Sequence, residues 1–224
     1  FKNYKTEGNY NSVIGLPMSL FEISDECDSA VLEMGMSGFG EIGSMSRAAR
    51  PSVALVTNIG TSHMEMLGSR ENICRAKMEI LEGLAQGGTI VLNGDEPLLR
   101  NREEIGENAY YVGFAPDCHF RAQNMRFVLG NTVFDLSIGG RVVEGVTIPT
   151  IGKHNVYAAC FAYAVGVNMG LSDEIIKRGL RNFKPIGMRQ NIYDIGDITI
   201  IEDCYNASPE SMKAAIAVLR QVAE

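Results

Sequence analysis

The chain has 224 residues, a hydrophobic content of 46% and a formal net charge of −7. That length allows one large domain or one and a half ordinary ones, and an acidic balance without a basic run argues against a nucleic-acid partner. No apolar run reaches a membrane span, and five scattered cysteines without a C-x-x-C pair argue against a disulfide framework or a zinc site and fit a reducing cytosol.

The chain opens on Phe1, and FKNYKTEGNYN reads as the middle of a longer protein. The polar loop TEGNYN at 6–11 is a turn by composition. A short helix is expected at 16–23. Residues 29–34 have a buried-strand pattern that ends in Glu33, then Gly35. GFGEIG at 38–43 follows, formally a G-x-G-x-x-G between a strand and a helix at 41–49, as in a dinucleotide site. Two features weigh against that reading. The next strand, 52–58, ends in Thr57-Asn58 instead of an acid for the ribose, and Glu33 would bring negative charge toward a pyrophosphate.

After Asn58 come His63 and Glu65, expected in the loop at the carboxyl end of that strand, where open α/β sheets bind ligands. Ser69 followed by Glu71 reads as a helix start with Ser69 as N-cap. Ile73, Ala76, Ile80 and Leu84 keep a helical period. Lys77 falls on the border of that apolar side, where a lysine needs a reason. A third strand at 87–93 leads to Asn93 and Asp95. Three β-segments finishing in Glu33, Asn58 and Asn93/Asp95, with helices between, predict a β-α-β-α-β unit: a mostly parallel sheet with helices on both faces.

From 108 to 150 the pattern becomes short alternating strands at 109–113, 119–122, 125–129, 132–136 and 141–146, with turns at Gly130-Asn131 and Gly139-Gly140. This predicts a small antiparallel region on the edge of the sheet. Gly152-Lys-His-Asn155 opens an apolar helix over 156–169. His154 and Asn155 sit at its N-terminus, either as an ordinary cap by Asn155 or at an anion-friendly helix end. A helix at 172–182 has Ser172 as cap. The chain breaks at 184–188. Strands at 189–195 and 198–202, a turn at 203–209 and a helix at 210–223 then look like the start of a second α/β domain, so domains are expected at 1–187 and 188–224.

Taken together, TEGNYN at 6–11, LEMG at 32–35, TNIG at 57–60 with His63, Gly68-Ser69 and AKMEI at 76–80, LNGD at 92–95, GKHN at 152–155, Met188-Arg189 and DCYNA at 203–207 resemble the Mur ligases of peptidoglycan synthesis, in order along nearly the whole chain. TEGNYNSVIGLP and DCYNASP resemble the branch that adds D-Ala-D-Ala. The resemblance implies a cytoplasmic, monomeric ligase with ATP and Mg²⁺ as cofactors, and UDP-MurNAc-tripeptide and D-Ala-D-Ala as substrates. The tripeptide carboxylate would attack the γ-phosphate, and the dipeptide amine would attack the acyl phosphate. By the same resemblance Glu33 and His63 match ligands of a first and a second magnesium, and Lys77 matches a lysine carried as a carbamate that helps to hold magnesium. Asn58, His154, Asn155, Arg189, Asp203 and Asn206 match nucleotide-site positions, with Arg189 a γ-phosphate clamp. Thr6, Asn9 and Asn11 match the loop that meets the muramoyl-peptide.

The family's phosphate loop, G-x-x-x-x-G-K-[ST], is absent from these 224 residues, and Glu202 and Ser208 depart from the family pattern. The expectation is that the phosphate loop lies upstream of Phe1, that most of the C-terminal domain lies beyond Glu224, and that this stretch alone is not catalytic. Three other readings compete: a Mur-type ligase adding a single amino acid or a folylpolyglutamate-type synthetase, a dinucleotide-dependent oxidoreductase using GFGEIG, and a ligase-like module that only binds.

Overall fold

The computed structural model describes residues 2–100, 105–106, 108–185 and 187–223, with only the backbone of Ala223. Phe1 and part of the break expected at 184–188 lie outside the described residues. The chain forms two compact units, Phe1–Ile90 with Asn101–Ala109, and Val91–Arg100 with Tyr110–Glu224.

The first unit contains β1 (Asn3–Lys5), α1 (Gly15–Glu22), β2 (Ser29–Val31), α2 (Glu41–Ala49), β3 (Val53–Val56), α3 (Met64–Leu67) and α4 (Arg70–Met78). Its core gathers Leu16, Ile42, Met45, Ala54, Val56, Ile59, Ile73, Cys74 and Ala76. Two expectations are corrected here. β2 is not a buried strand, since Val31 is 66% exposed. Nor does β2 join β3 in one sheet: it pairs in parallel with β1, Asn3 opposite Ser29 and Lys5 opposite Val31. The ladder stops at Val31 because the next amides are already used. The Glu33 N–H donates to the Thr6 hydroxyl at 2.8 Å, and the Gly35 N–H donates to the Asn11 carbonyl at 2.6 Å.

Ser69 caps α4 as expected, accepting from the Asn72 N–H at 3.2 Å. Replacing Ser69 with alanine is expected to cost about 1 kcal/mol in denaturant unfolding, the usual worth of such a cap; an unchanged midpoint would count against it. The helix ends at Met78, short of Ile80 and Leu84, and tightens into a 3-10 turn over Glu79–Gly83. Packing against α2 imposes this. The Ser46 hydroxyl donates to the Ile80 carbonyl and accepts from the Gly83 N–H. A Cβ on Gly83 would lie 2.0 Å from the Ser46 backbone, so glycine is required there.

β4 (Thr89–Asn93) runs from one unit into the other. The second unit continues with β5 (Ala109–Gly113), β6 (Phe120–Val128), β7 (Asn131–Ile138), β8 (Arg141–Ile148), α5 (Lys153–Asn168), α6 (Asp173–Arg181), β9 (Asn191–Ile195), β10 (Ile198–Glu202) and α7 (Pro209–Ala223). The strand order is β3-β4-β5-β6-β7-β8, with β9 and β10 as a separate antiparallel pair. The strand at 109–113 was expected to be antiparallel to its successor; β5 and β6 are parallel, over the short overlap Val112–Phe120 and Gly113–Arg121. The two strands expected at 119–122 and 125–129 are one strand, β6, with a register shift between Gln123 and Arg126 where Asn124 turns to φ 53°. β6, β7 and β8 form antiparallel hairpins. The second turn has Gly139 at φ 53° and Gly140 at φ 88°, the doubly positive turn that favours glycine.

α5 buries Val156, Ala159, Cys160, Phe161, Tyr163 and Ala164. α6 starts at its Ser172 cap, which accepts from the Ile175 N–H. Ile176 fits against Gly166 of α5, where a Cβ would approach to 2.8 Å.

Candidate functional site

In the first unit the loop 6–11 and the strand end at Glu33 form one hydrogen-bonded group. Thr6 holds the Glu33 main chain, and the Asn11 side-chain amide donates to Glu33 Oε1 at 2.9 Å. Asn9 is exposed, and its carbonyl accepts from the Asn11 N–H at 2.7 Å. Glu33 itself is exposed, and its Oε2 accepts no hydrogen bond from the described residues.

Asn58 and Lys77 form a second group. Lys77 Nζ donates to the Asn58 carbonyl at 2.8 Å, so the main chain of Asn58, not its side chain, makes this link. Lys77 is half-buried, and no carboxylate pairs with it among the described residues. Burial pushes its pKa below the ordinary lysine value, with Cys74 opposing weakly.

His63 and Glu65 are not in a loop. His63 is the cap residue of α3 at φ 66°, and Glu65 lies inside that helix. A left-handed histidine is uncommon and fixes the direction in which the ring leaves the chain. Among the described residues no group of three His, Cys, Asp or Glu side chains converges to hold a metal ion. No side-chain hydrogen bond links Glu33, His63 and Lys77 to one another.

The GFGEIG stretch has a different occupant from the one its spacing suggests. The Gly40 N–H donates to both oxygens of Glu79, at 2.8 and 2.9 Å, and the Gly43 N–H donates to Glu79 Oε2 at 3.2 Å. The amides that would cradle a pyrophosphate already hold a carboxylate of the same chain. A Cβ on Gly43 would also stand 2.6 Å from Glu82 Oε2.

In the second unit His154 and Asn155 lie inside the first turn of α5, after Gly152 at φ 113°. A side chain at Gly152 would stand 2.7 Å from the His154 ring. Asn155 is not the cap: its amide donates to the Ile151 carbonyl at 2.9 Å and to Gln190 Oε1 at 2.5 Å. The surrounding protein lowers the His154 pKa, while the Asp203 carboxylate and Gln190 pull it upward. Arg189 lies over the Tyr205 ring, 4.4 Å from its centroid, and the Cys204 and Tyr205 amides both donate to the Met188 carbonyl. Stretch 188–190 is thereby joined to Asp203–Asn206 on one side and to Asn155 on the other. Asn206 accepts from the Ala207 N–H at 2.8 Å, a local turn.

One contributor escaped the sequence reading, and for a second only the partners did. Gln190 had no signal beyond its position after Arg189. Asp95 was visible as a polar residue ending a strand, but its partners were not. Its carboxylate accepts from the Phe114 N–H at 2.7 Å, the Ala115 N–H at 2.9 Å and the Tyr157 hydroxyl at 2.5 Å. Lys153 Nζ stands 4.4 Å from the Phe114 ring centroid and 5.8 Å from that of Tyr157. This knot fixes the first turn of α5, which carries His154 and Asn155.

Residues 1–166 match the family model described as the Mur ligase middle domain. The chain is 43% identical over 218 residues to a UDP-N-acetylmuramoyl-tripeptide--D-alanyl-D-alanine ligase of Bacillus subtilis, covering 96% of this chain and 46% of that protein. Against the enzyme of the same description from Escherichia coli it is 33% identical, covering 97% of this chain and 49% of that protein. The chain thus spans about half the length of the curated relatives it matches. Among solved structures it is similar to MurF from Acinetobacter baumannii, with a TM-score of 0.92 and 32% identity, covering 98% of this chain and 48% of that one. MurF ligase from Thermotoga maritima in complex with ADP gives a TM-score of 0.87 and 27% identity, covering 98% and 51%.

Proposed function

The chain belongs to the Mur ligase family, and on that premise we propose that the full-length protein is an ATP-dependent ligase adding D-Ala-D-Ala to UDP-MurNAc-tripeptide in the cytoplasm. The observation that carries this reading is the 43% identity to a ligase of that description across 96% of the chain. The absence, among the described residues, of a helix long and apolar enough to cross a membrane is compatible with it. Chemically, the tripeptide carboxylate attacks the γ-phosphorus, the bond to ADP breaks, the dipeptide amine attacks the resulting acyl phosphate, and phosphate leaves. Two anions must meet, so positioning and cationic help matter more than covalent catalysis by the protein.

Each group of residues has a part in this scheme. Thr6, Asn9 and Asn11 line the loop assigned to the muramoyl-peptide. Glu33 and His63 are the proposed magnesium ligands. A free, exposed carboxylate oxygen without a converging acidic cluster fits Mg²⁺, which usually takes one or two carboxylates together with phosphate and water oxygens. Bound there, the ion would offset charge developing on the phosphate oxygens. Lys77, whose pKa burial lowers, is suited to add CO₂ through its amine and release a proton, becoming a carbamate. Asn58 belongs to the nucleotide side through its proximity to Lys77.

In the second unit, His154 and Asn155 serve the adenine side. A crowded His154 with lowered pKa is a neutral hydrogen-bonding ring at neutral pH, not a cation. Arg189, steadied on Tyr205, is the γ-phosphate clamp, and Asp203 and Asn206 serve the ribose side. The boundary at 188 between a central and a C-terminal domain is part of the same proposal.

The test is to supply the full-length protein with ATP, Mg²⁺, UDP-MurNAc-tripeptide and D-Ala-D-Ala. One ADP and one phosphate per amide formed is the expected result. Turnover only with a single amino acid or with glutamate would replace this reading by the related ligase or polyglutamate synthetase. The oxidoreductase reading is disfavoured by Glu79 at the GFGEIG amides.

A further inference from the structure

Asn11 sits in the loop assigned to substrate, yet its side chain is spent elsewhere. Its amide donates to Glu33 Oε1 at 2.9 Å. Its carbonyl accepts from the Gly35 N–H at 2.6 Å, and its own N–H donates to the Asn9 carbonyl. Gly35 lets the two segments close: a Cβ there would lie 3.3 Å from the Asn11 side-chain amide. Thr6, from the same loop, holds the Glu33 main chain. One residue further on, the Ser12 hydroxyl accepts from the Gly15 N–H and the Ser12 carbonyl from the Leu16 N–H, which fastens the loop to the start of α1. The Glu33 carboxylate is therefore aimed by a loop that is itself anchored.

We infer that Asn11 is a positioning residue that orients the Glu33 carboxylate toward a divalent cation. The choice of side chain suits that task. A neutral amide donor fixes one carboxylate oxygen without cancelling its charge, as a lysine or arginine would, and leaves Oε2 open to a cation. The inference rests on the proposed role of Glu33 as a magnesium ligand, and it gives Asn11 a role other than contact with the muramoyl-peptide.

The experiment uses the full-length protein with ADP present and Mn²⁺ as the probe, its binding read by electron paramagnetic resonance. Tripeptide-substrate affinity is measured in parallel by calorimetry. Asn11→Ala is expected to weaken Mn²⁺ about 10-fold, the lower end of what loss of a ligand's hydrogen-bond partner costs, and to weaken tripeptide binding by a smaller factor than it weakens Mn²⁺. Asn11→Ser keeps a polar turn residue that cannot span the gap to Glu33, and gives the same reading if the alanine variant does not fold. Asn11→Gln, which retains the amide, should recover part of the loss. Glu33→Gln separates the two layers. If it leaves Mn²⁺ binding intact, Glu33 is not a ligand and the underlying reading fails. If it weakens Mn²⁺ while both Asn11→Ala and Asn11→Ser do not, the ligand stands and the positioning role of Asn11 is overturned. Loss of tripeptide affinity with unchanged Mn²⁺ binding would also overturn it.

Discussion

Replacing Lys77 with alanine in the full-length ligase is expected to lower kcat by about 10²–10³, the usual effect of removing one preorganised electrostatic group, without loss of thermal stability. The asymmetry follows from its surroundings. Lys77 is half-buried, and its ammonium donates only to the Asn58 carbonyl, with no carboxylate partner among the described residues. Burial lowers its pKa from the ordinary lysine value of 10.5. The folded state therefore binds fewer protons than the unfolded state as pH approaches that value from below, so stability rises with pH there, and at neutral pH the charged lysine is a burden on the fold. A lysine kept under those conditions suits the proposed carbamate. Its removal would take that group away while relieving the burial. Steady-state phosphate release and a thermal melt measure both sides. Assay in buffers stripped of CO₂ should depress the native enzyme, and bicarbonate should restore it, with neither treatment affecting Lys77→Ala. Native turnover in the variant would remove Lys77 from the mechanism, and a large fall in melting temperature would make it a structural residue instead.

The second large effect is expected at Asp95, and it falls on stability. Its carboxylate is the shared acceptor for two backbone amides and the Tyr157 hydroxyl. Asp95→Ala would leave those donors without their partner, at about 3 kcal/mol in denaturant unfolding near neutral pH. Partial burial alone would raise the Asp95 pKa, but the Tyr157 hydroxyl and the Phe114 and Ala115 amides together hold it below the ordinary carboxylate value. A depressed carboxyl stabilises the fold above its unfolded pKa, here 3.8, and loses that contribution as pH falls through the lower folded value. The gap between native and variant should therefore be full at neutral pH and shrink below about pH 3.8 in the direction of acid unfolding. A gap independent of pH would mean that packing, not the ionised carboxylate, holds the Phe114–Ala115 turn.

Local signals carried far in this chain, and long-range ones did not. α2 occupies the expected 41–49, Ser69 and Ser172 cap their helices, and the turn at Gly139-Gly140 falls where glycines permit positive φ, while the turn expected at Gly130-Asn131 lies one residue earlier, at Leu129-Gly130, with Leu129 at φ 49°. Each depends on neighbours within a few residues. β1 was missed because Asn3-Tyr4-Lys5 is polar, and only its partner β2, some 26 positions away, makes it a strand. The reading of β2 as buried failed because an apolar run does not reveal whether the rest of the fold covers it. Parallel β5 and β6 were mistaken for a hairpin pair because the clamp at Asp95, which turns the intervening chain, comes from another element. The site shows the same division. The structure joins Thr6, Asn11 and Glu33, which the motifs had singled out, and sets Arg189 beside the 203–206 turn. No spacing rule could foresee that Asn11 would spend its amide on Glu33, or that Gln190 would reach Asn155.

The Glu79 carboxylate at the start of α2 has a wider consequence. Helix beginnings attract negative charge, and many proteins leave theirs open for a solute. Here the counterion is built into the polypeptide, so the Gly40 and Gly43 amides are already satisfied before any phosphate, sulfate or nucleotide arrives. The start of that helix is thereby shielded from competing anions.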